Sequence, residues 1–189
     1  MTPDSLSGGF ATPPLDAARA FRVLLDTLAR PGSIRGLAGA MPPAPLSQAG
    51  GTLALTLLDG TTPVHLAGAH DTPALRDWLT FHTGAPLVEA SEAIFAFGTW
   101  EALLPVDRFA IGSAEYPDRA ATLIIDMPSL EAEGAVLSGP GLKQSARLSL
   151  PQTAPFRANH ALFPLGFDCY LTCGDRIAGL PRSTTVRDA

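Results

Sequence analysis

Apolar positions first recur at helical spacing near the start of the chain. Leu15, Ala18, Phe21, Leu25 and Leu28 form one stripe, and Arg19, Arg22 and Asp26 fall on the other side. Thr12 is placed to cap this helix, Pro13 and Pro14 suit its first turn, and Asp16 favours the positive end of its dipole. Pro31-Gly32 ends it. The stretch from Gly36 to Gly51 is rich in proline and glycine without periodicity and reads as a long loop, a length that points to a role at an interface.

Thr52 to Leu58 alternates, with Leu53, Leu55 and Leu57 on one face, and Asp59-Gly60 offers hairpin turn chemistry before Thr61 to Leu66. These segments predict a β-hairpin. A second helix is capped by Thr72, opened by Pro73, buried through Leu75, Trp78 and Leu79, and closed near Gly84. Ala93 to Thr99 and Ala121 to Met127 are apolar runs of strand length, the second apolar enough to be buried on both faces. Val136-Leu137, Arg147 to Leu150 and Asp168 to Cys173 add shorter strands. Strands mixed with helices predict an α/β or α+β layered fold with a mixed sheet.

At 189 residues and 46% hydrophobic content the chain has enough apolar side chains for one sizeable core, so one domain over residues 1–189 is expected. Thirteen basic against 18 acidic residues give a formal charge of -5, which leaves no electrostatic footprint for nucleic acid. The longest uncharged stretch, Gly36 to Leu58, is interrupted by Pro42, Pro43 and Pro45 and is not read as a membrane span. The opening residues lack the basic and apolar regions of a secretory signal, so a cytoplasmic protein is expected. Cys169 and Cys173 are four residues apart on one predicted strand, roughly 13 Å at about 3.3 Å per residue. That is beyond disulfide reach, so both thiols are expected free, packed on the face of Phe167 and Leu171.

Candidate chemistry is sparse. His65, His70, His82 and His160 show none of the strict ligand spacings of a metal site and read as scattered surface and core histidines; no metal is expected. Ser138-Gly139-Pro140-Gly141 could cradle an anionic oxygen on its amides or be only a sharp turn. Arg182, beside Ser183, Thr184 and Thr185, suits phosphate or phosphonate oxygens; the alternative is an edge strand with Arg182 in an ion pair. His82, at the end of the second helix, interacts well with the helix dipole when cationic, or simply ends the helix. Arg182, Thr184, Gly139, Gly141 and His82 are therefore the candidate ligand-binding residues. No Gly-x-Ser-x-Gly elbow is present, and Lys143, the only lysine, has no sign of desolvation that would suit Schiff-base chemistry.

Several separated segments carry a resemblance to a known family. They include Phe21 to Leu25 before Pro31-Gly32, Leu55 to Asp59 before Thr62-Pro63-Val64, and Phe81-His82-Thr83-Gly84-Ala85-Pro86-Leu87. Pro117 with Ala121-Thr122-Leu123-Ile124 and Leu137-Ser138-Gly139-Pro140-Gly141 follow, then Phe163 to Asp168, Leu171 to Arg176 and Pro181-Arg182-Ser183-Thr184. In order and spacing the chain resembles the PhnH family of the bacterial carbon-phosphorus lyase system, from about Phe21 to Thr185. It departs where Ala120 and Ser183 stand for the family's usual glycine and threonine.

The resemblance implies an α/β three-layer sandwich with a mixed sheet, similar to the large domain of pyridoxal-phosphate-dependent transferases but without the cofactor. It also implies a homodimer when isolated and a place beside PhnG, PhnI and PhnJ. In that pathway a phosphonate displaces adenine from ATP to give a ribose 1-phosphonate 5-triphosphate, and a PhnH subunit supports this step with no expected activity of its own. It supplies no catalytic residues. The competing expectation is a stand-alone phosphonate- or nucleotide-binding protein; a pyridoxal-phosphate enzyme rests on fold analogy alone.

Overall fold

The structure, a computed structural model, describes residues 6–189. In chain order the elements are α1 (Pro13–Ala29), β1 (Ile34–Gly36), α2 (Gln48–Leu57), β2 (Val64–Leu66), α3 (Pro73–Thr83), β3 (Phe95–Gly98) and α4 (Trp100–Leu103). Then come β4 (Thr122–Asp126), β5 (Ala135–Ser138), β6 (Ala146–Leu148), α5 (Ala154–Ala161), β7 (Asp168–Cys173), β8 (Arg176–Leu180) and β9 (Thr185–Arg187). Six strands form a mixed sheet in the order β1-β8-β7-β4-β3-β2, and three form a small antiparallel sheet in the order β6-β5-β9. The architecture is α/β, as expected.

Within the large sheet β2, β3, β4 and β7 run parallel, β8 pairs antiparallel with β7, and β1 pairs antiparallel with β8 and so shares the direction of the parallel four. The centre is β4, whose Thr122 faces Phe95 of β3 and Asp168 of β7. Its alternate side chains go to opposite cores: Leu123 and Ile125 join a cluster with α4, α5 and the small sheet, and Ile124 joins one with α1, α2 and α3. This is the strand expected to be buried on both faces. Cys169 and Leu171 enter the first cluster, Cys173 packs against it, and both cysteines are free. Burial pushes the Cys169 thiol well above its ordinary pKa, so it is a packing residue rather than a nucleophile.

The expected hairpin at Thr52 to Leu66 is absent, and its first arm is the helix α2. Ser47 caps α2 by accepting a hydrogen bond from Gly50 N at 3.0 Å, so the predicted loop from Gly36 to Gly51 gives way to helix at Gln48. Leu53, Ala54, Leu55 and Leu57 satisfy a strand period and a helix period equally well, and over so short a run the buried contact decides. Gly51 lets α2 lie against Pro42, where a Cβ would come within 2.5 Å of the ring. The Asp59 turn does form, its carboxylate accepting from Thr61 N at 2.8 Å, but it joins α2 to β2, which pairs parallel with β3.

On α1 the expected apolar stripe is turned outward except at Leu28, which packs against the core. Leu15, Phe21 and Leu25 are exposed, while Ala20, Leu24 and Thr27 are buried. The reason is close approach to β8: a Cβ on Gly179 would lie 2.7 Å from the backbone of Thr27 and Leu28. Only a face of small side chains, with Leu24, admits that contact. Thr12 makes no side-chain cap; Asp16 instead accepts from Thr12 N at 2.7 Å. The α3 expectation stands, with Thr72 accepting from Leu75 N and Gly84 in the left-handed conformation at φ +70°. Among the described residues no helix is long and apolar enough to cross a membrane.

Candidate functional site

The parallel strands β2, β3, β4 and β7 all end on one side of the sheet, the position at which α/β proteins form their clefts. A cavity of about 640 Å³ lies there. His70 reaches it from the turn after β2, Thr99 and Trp100 from the end of β3, Asp126 from the last position of β4, and Gly174 from the turn after β7. Ser47 closes it from the N-terminus of α2.

Asp126 organises the cavity floor. Its Oδ2 accepts from His70 Nε2 at 2.8 Å and from Ser47 N at 3.1 Å, and its Oδ1 accepts from the Thr172 hydroxyl. One carboxylate therefore ties together α2, the turn after β2, β4 and β7. Burial by itself would raise the Asp126 pKa; the bonds from His70, Ser47 and Thr172 outweigh it and hold the group below the usual carboxylate range. Asp126 is thus favoured as the carboxylate. His70 is 2% exposed and Trp100 3%, and His70 Nδ1 and Trp100 Nε1 have no hydrogen-bond partner among the described residues. Trp100 is held by stacking on Phe156, with ring centroids 5.0 Å apart.

The rim adds Glu101, which is exposed, and apolar walls from Pro45, Met127, Pro128 and Pro151. Among the described residues neither lysine nor arginine lines the cavity. A phosphate or phosphonate would meet two carboxylates there and no lysine or arginine. The described residues also contain no group of three or more histidine, cysteine or acidic side chains placed to hold a metal.

The residues singled out from the sequence lie elsewhere. The Arg182 guanidinium is taken by Asp168, with NH2 to Oδ2 at 2.6 Å and Nε to Oδ1 at 3.2 Å, and NH1 donates to Pro117 O at 2.7 Å. Thr184 is buried beside it, its hydroxyl without a hydrogen-bond partner among the described residues. Gly139 approaches the same segment, since a Cβ there would sit 3.2 Å from Ser183 O. Gly141 instead lies against Ala29, where a Cβ would meet the carbonyl oxygen at 2.0 Å. The structure thus brings Arg182, Thr184 and Gly139 together. His82 is on α3, packed on Trp78 and Phe81, with Nε2 donating to Ser7 O at 3.3 Å. None of the other four candidates is among its partners.

The four histidines are scattered. His65 Nδ1 meets Val88 O at 3.0 Å, and His160 bridges Arg182 O and the Thr185 hydroxyl, each at 3.2 Å. Sequence reasoning noted His70 but missed its pairing with Asp126. The available signal was the aspartate that closes the apolar run Leu123-Ile124-Ile125, a charge at the end of a strand buried on both faces.

Comparison with known proteins places the whole chain. The family model for bacterial phosphonate metabolism protein (PhnH) matches residues 8–187. The chain is 42% identical over 190 residues to the alpha-D-ribose 1-methylphosphonate 5-triphosphate synthase subunit PhnH of Rhizobium meliloti (strain 1021), covering 95% of this chain and 94% of that protein. It is 29% identical over 198 residues to the putative C-P lyase subunit protein HtxG of Stutzerimonas stutzeri, covering 94% of each. With a family match over nearly its full length and a relative this similar, the chain belongs to the PhnH family of bacterial phosphonate metabolism proteins.

Proposed function

We propose that this protein is a subunit of an alpha-D-ribose 1-methylphosphonate 5-triphosphate synthase within the carbon-phosphorus lyase system. It assembles with PhnG, PhnI and PhnJ in the cytoplasm and forms a homodimer when isolated. In this reading it supports transfer of a ribose triphosphate unit from ATP to an alkylphosphonate and has no independent activity. The observation that carries the reading is the 42% identity to a synthase subunit over 95% of the chain.

The surface agrees with a docking role. Leu15, Phe21 and Leu25 expose an apolar stripe along α1, which a lone soluble chain has no reason to maintain. The chain acts as one unit, since a single core cluster joins the large sheet to the small one. In architecture it is similar to the large domain of pyridoxal-phosphate-dependent transferases, without their cofactor.

The test is co-expression with PhnG, PhnI and PhnJ from the same source, purification through a tag on PhnI, and a mass measurement of the complex. The expected result is stoichiometric retention of this chain. A chain recovered only as a free dimer overturns the reading.

A second reading, a phosphonate or nucleotide site reduced to the three candidates that come together, Arg182, Thr184 and Gly139, is favoured by the Thr184 hydroxyl beside Arg182, which has no hydrogen-bond partner among the described residues. It requires that Arg182→Ala abolish ligand affinity in a folded protein.

A further inference from the structure

We propose that the outward face of α1 is a docking site for one amphipathic helix of a partner subunit, a helix that carries an aspartate or glutamate within its apolar stripe. The inference rests on the subunit reading and adds the place and chemistry of the contact.

Three observations select this occupant. The first is spacing. Leu15, Ala18, Arg22, Leu25 and Ala29 follow one another at alternating steps of three and four residues, and all five are exposed, with Phe21 exposed beside them. That is the period by which one helix seats its side chains against another, and it is separate from the face of Ala20, Leu24 and Thr27 that α1 buries on the sheet. The second is the small size of Ala18 and Ala29, which lie among the leucines and let a second helix axis come close. The third is Arg22, at the middle of the stripe. It is in no ion pair among the described residues, since Asp16 accepts from Thr12 N and pairs with Arg19, and Asp26 holds both Arg30 and Arg35.

The arginine decides between occupants. A second copy of this chain brings a second Arg22 into the same seam, level with the first when the helices run parallel and within about one turn of it when they run antiparallel. No carboxylate enters the seam in either case, and the like charges oppose the pairing. A wholly apolar helix leaves the guanidinium desolvated and unpaired. A partner helix with a carboxylate facing Arg22 satisfies it and fixes the register, as a single polar residue in an apolar seam does.

The first arm of the test uses the isolated protein and a fluorescein-labelled three-heptad peptide with leucine at its seam positions and one glutamate at the central one. The same peptide with lysine in place of that glutamate is the control. Fluorescence anisotropy is expected to show the glutamate peptide binding about tenfold or more tightly than the lysine peptide, and Arg22→Glu is expected to reverse the order. Arg22 is exposed, so the unfolding midpoint of the variant stays unchanged. The second arm places the photo-crosslinker p-benzoylphenylalanine at position 18 in a complex with PhnG, PhnI and PhnJ. Mass spectrometry of the cross-linked product is expected to return a partner segment with an acidic residue among apolar residues at helical spacing.

Failure of the wild-type chain to join the complex tells against the subunit reading, while the peptide arm still decides the chemistry of the α1 face. Equal binding of the two peptides to the wild-type chain, binding of neither, or an order that Arg22→Glu leaves unchanged overturns the docking proposal. So does a cross-link from position 18 to a second copy of this chain, to a segment without a carboxylate, or to nothing in an assembled complex.

Discussion

His70 Nε2 and Asp126 Oδ2 meet at 2.8 Å across 56 residues of chain, and that contact joins the turn after β2 to the end of β4. The imidazole is buried, and the same carboxylate holds the cap of α2 and a hydroxyl of β7. The strand ends beneath the cavity are therefore fastened to one another through a single charged group.

Replacing Asp126 by alanine leaves His70 Nε2, Ser47 N and the Thr172 hydroxyl without their acceptor. Stability is expected to fall by about 3 kcal/mol or more, the cost of orphaning several buried donors. Urea unfolding followed by circular dichroism measures this, and a loss under about 1 kcal/mol would show that the carboxylate is not a fastener.

The same group gives a pH dependence. Its folded pKa lies below the unfolded carboxylate value, so its contribution is fully present above the unfolded pKa and is lost as pH falls through the folded one. Melting temperature should decline in the acid range, below about pH 4, more steeply for the wild type than for Asp126→Asn. Parallel curves for the two proteins would refute the assignment.

Arg182 and Asp168 form a largely shielded pair, their side chains 13% and 24% exposed. Arg182→Ala strands Asp168, and a loss of about 3 kcal/mol is expected, with Arg182→Lys recovering only part because the bidentate fork is gone. An Arg182→Ala protein of normal stability that fails to support phosphonate growth would move Arg182 from fastening to ligand binding.

The two sides of α1 should answer differently to truncation. Leu24→Ala, at 1% exposure, is expected to cost about 2–5 kcal/mol, whereas Leu25→Ala, at 52%, should stay within about 0.5 kcal/mol. The exposed variant should instead weaken association with the partner subunits. Chemical denaturation and analytical ultracentrifugation separate the two effects.

Local and strongly biased features of the chain were determined by the sequence itself. The capped and proline-opened α3, the β4 run apolar on both faces, the turn at Asp59 and the free cysteines on one face of β7 all follow from neighbours within a few residues. The family, too, was legible there, because it rests on the order of many short segments along the whole chain. Long-range contact decided the rest. Leu53 to Leu57 fit two periods, and the approach of Pro42 to Gly51 selects the helix. The stripe on α1 reads as a core face until Gly179 of β8 admits only the smaller side. Likewise Ser47, His70, Trp100, Asp126 and Thr172 share no local pattern; they meet because parallel strands end together, and the energy of such a meeting is set by burial that no single segment contains.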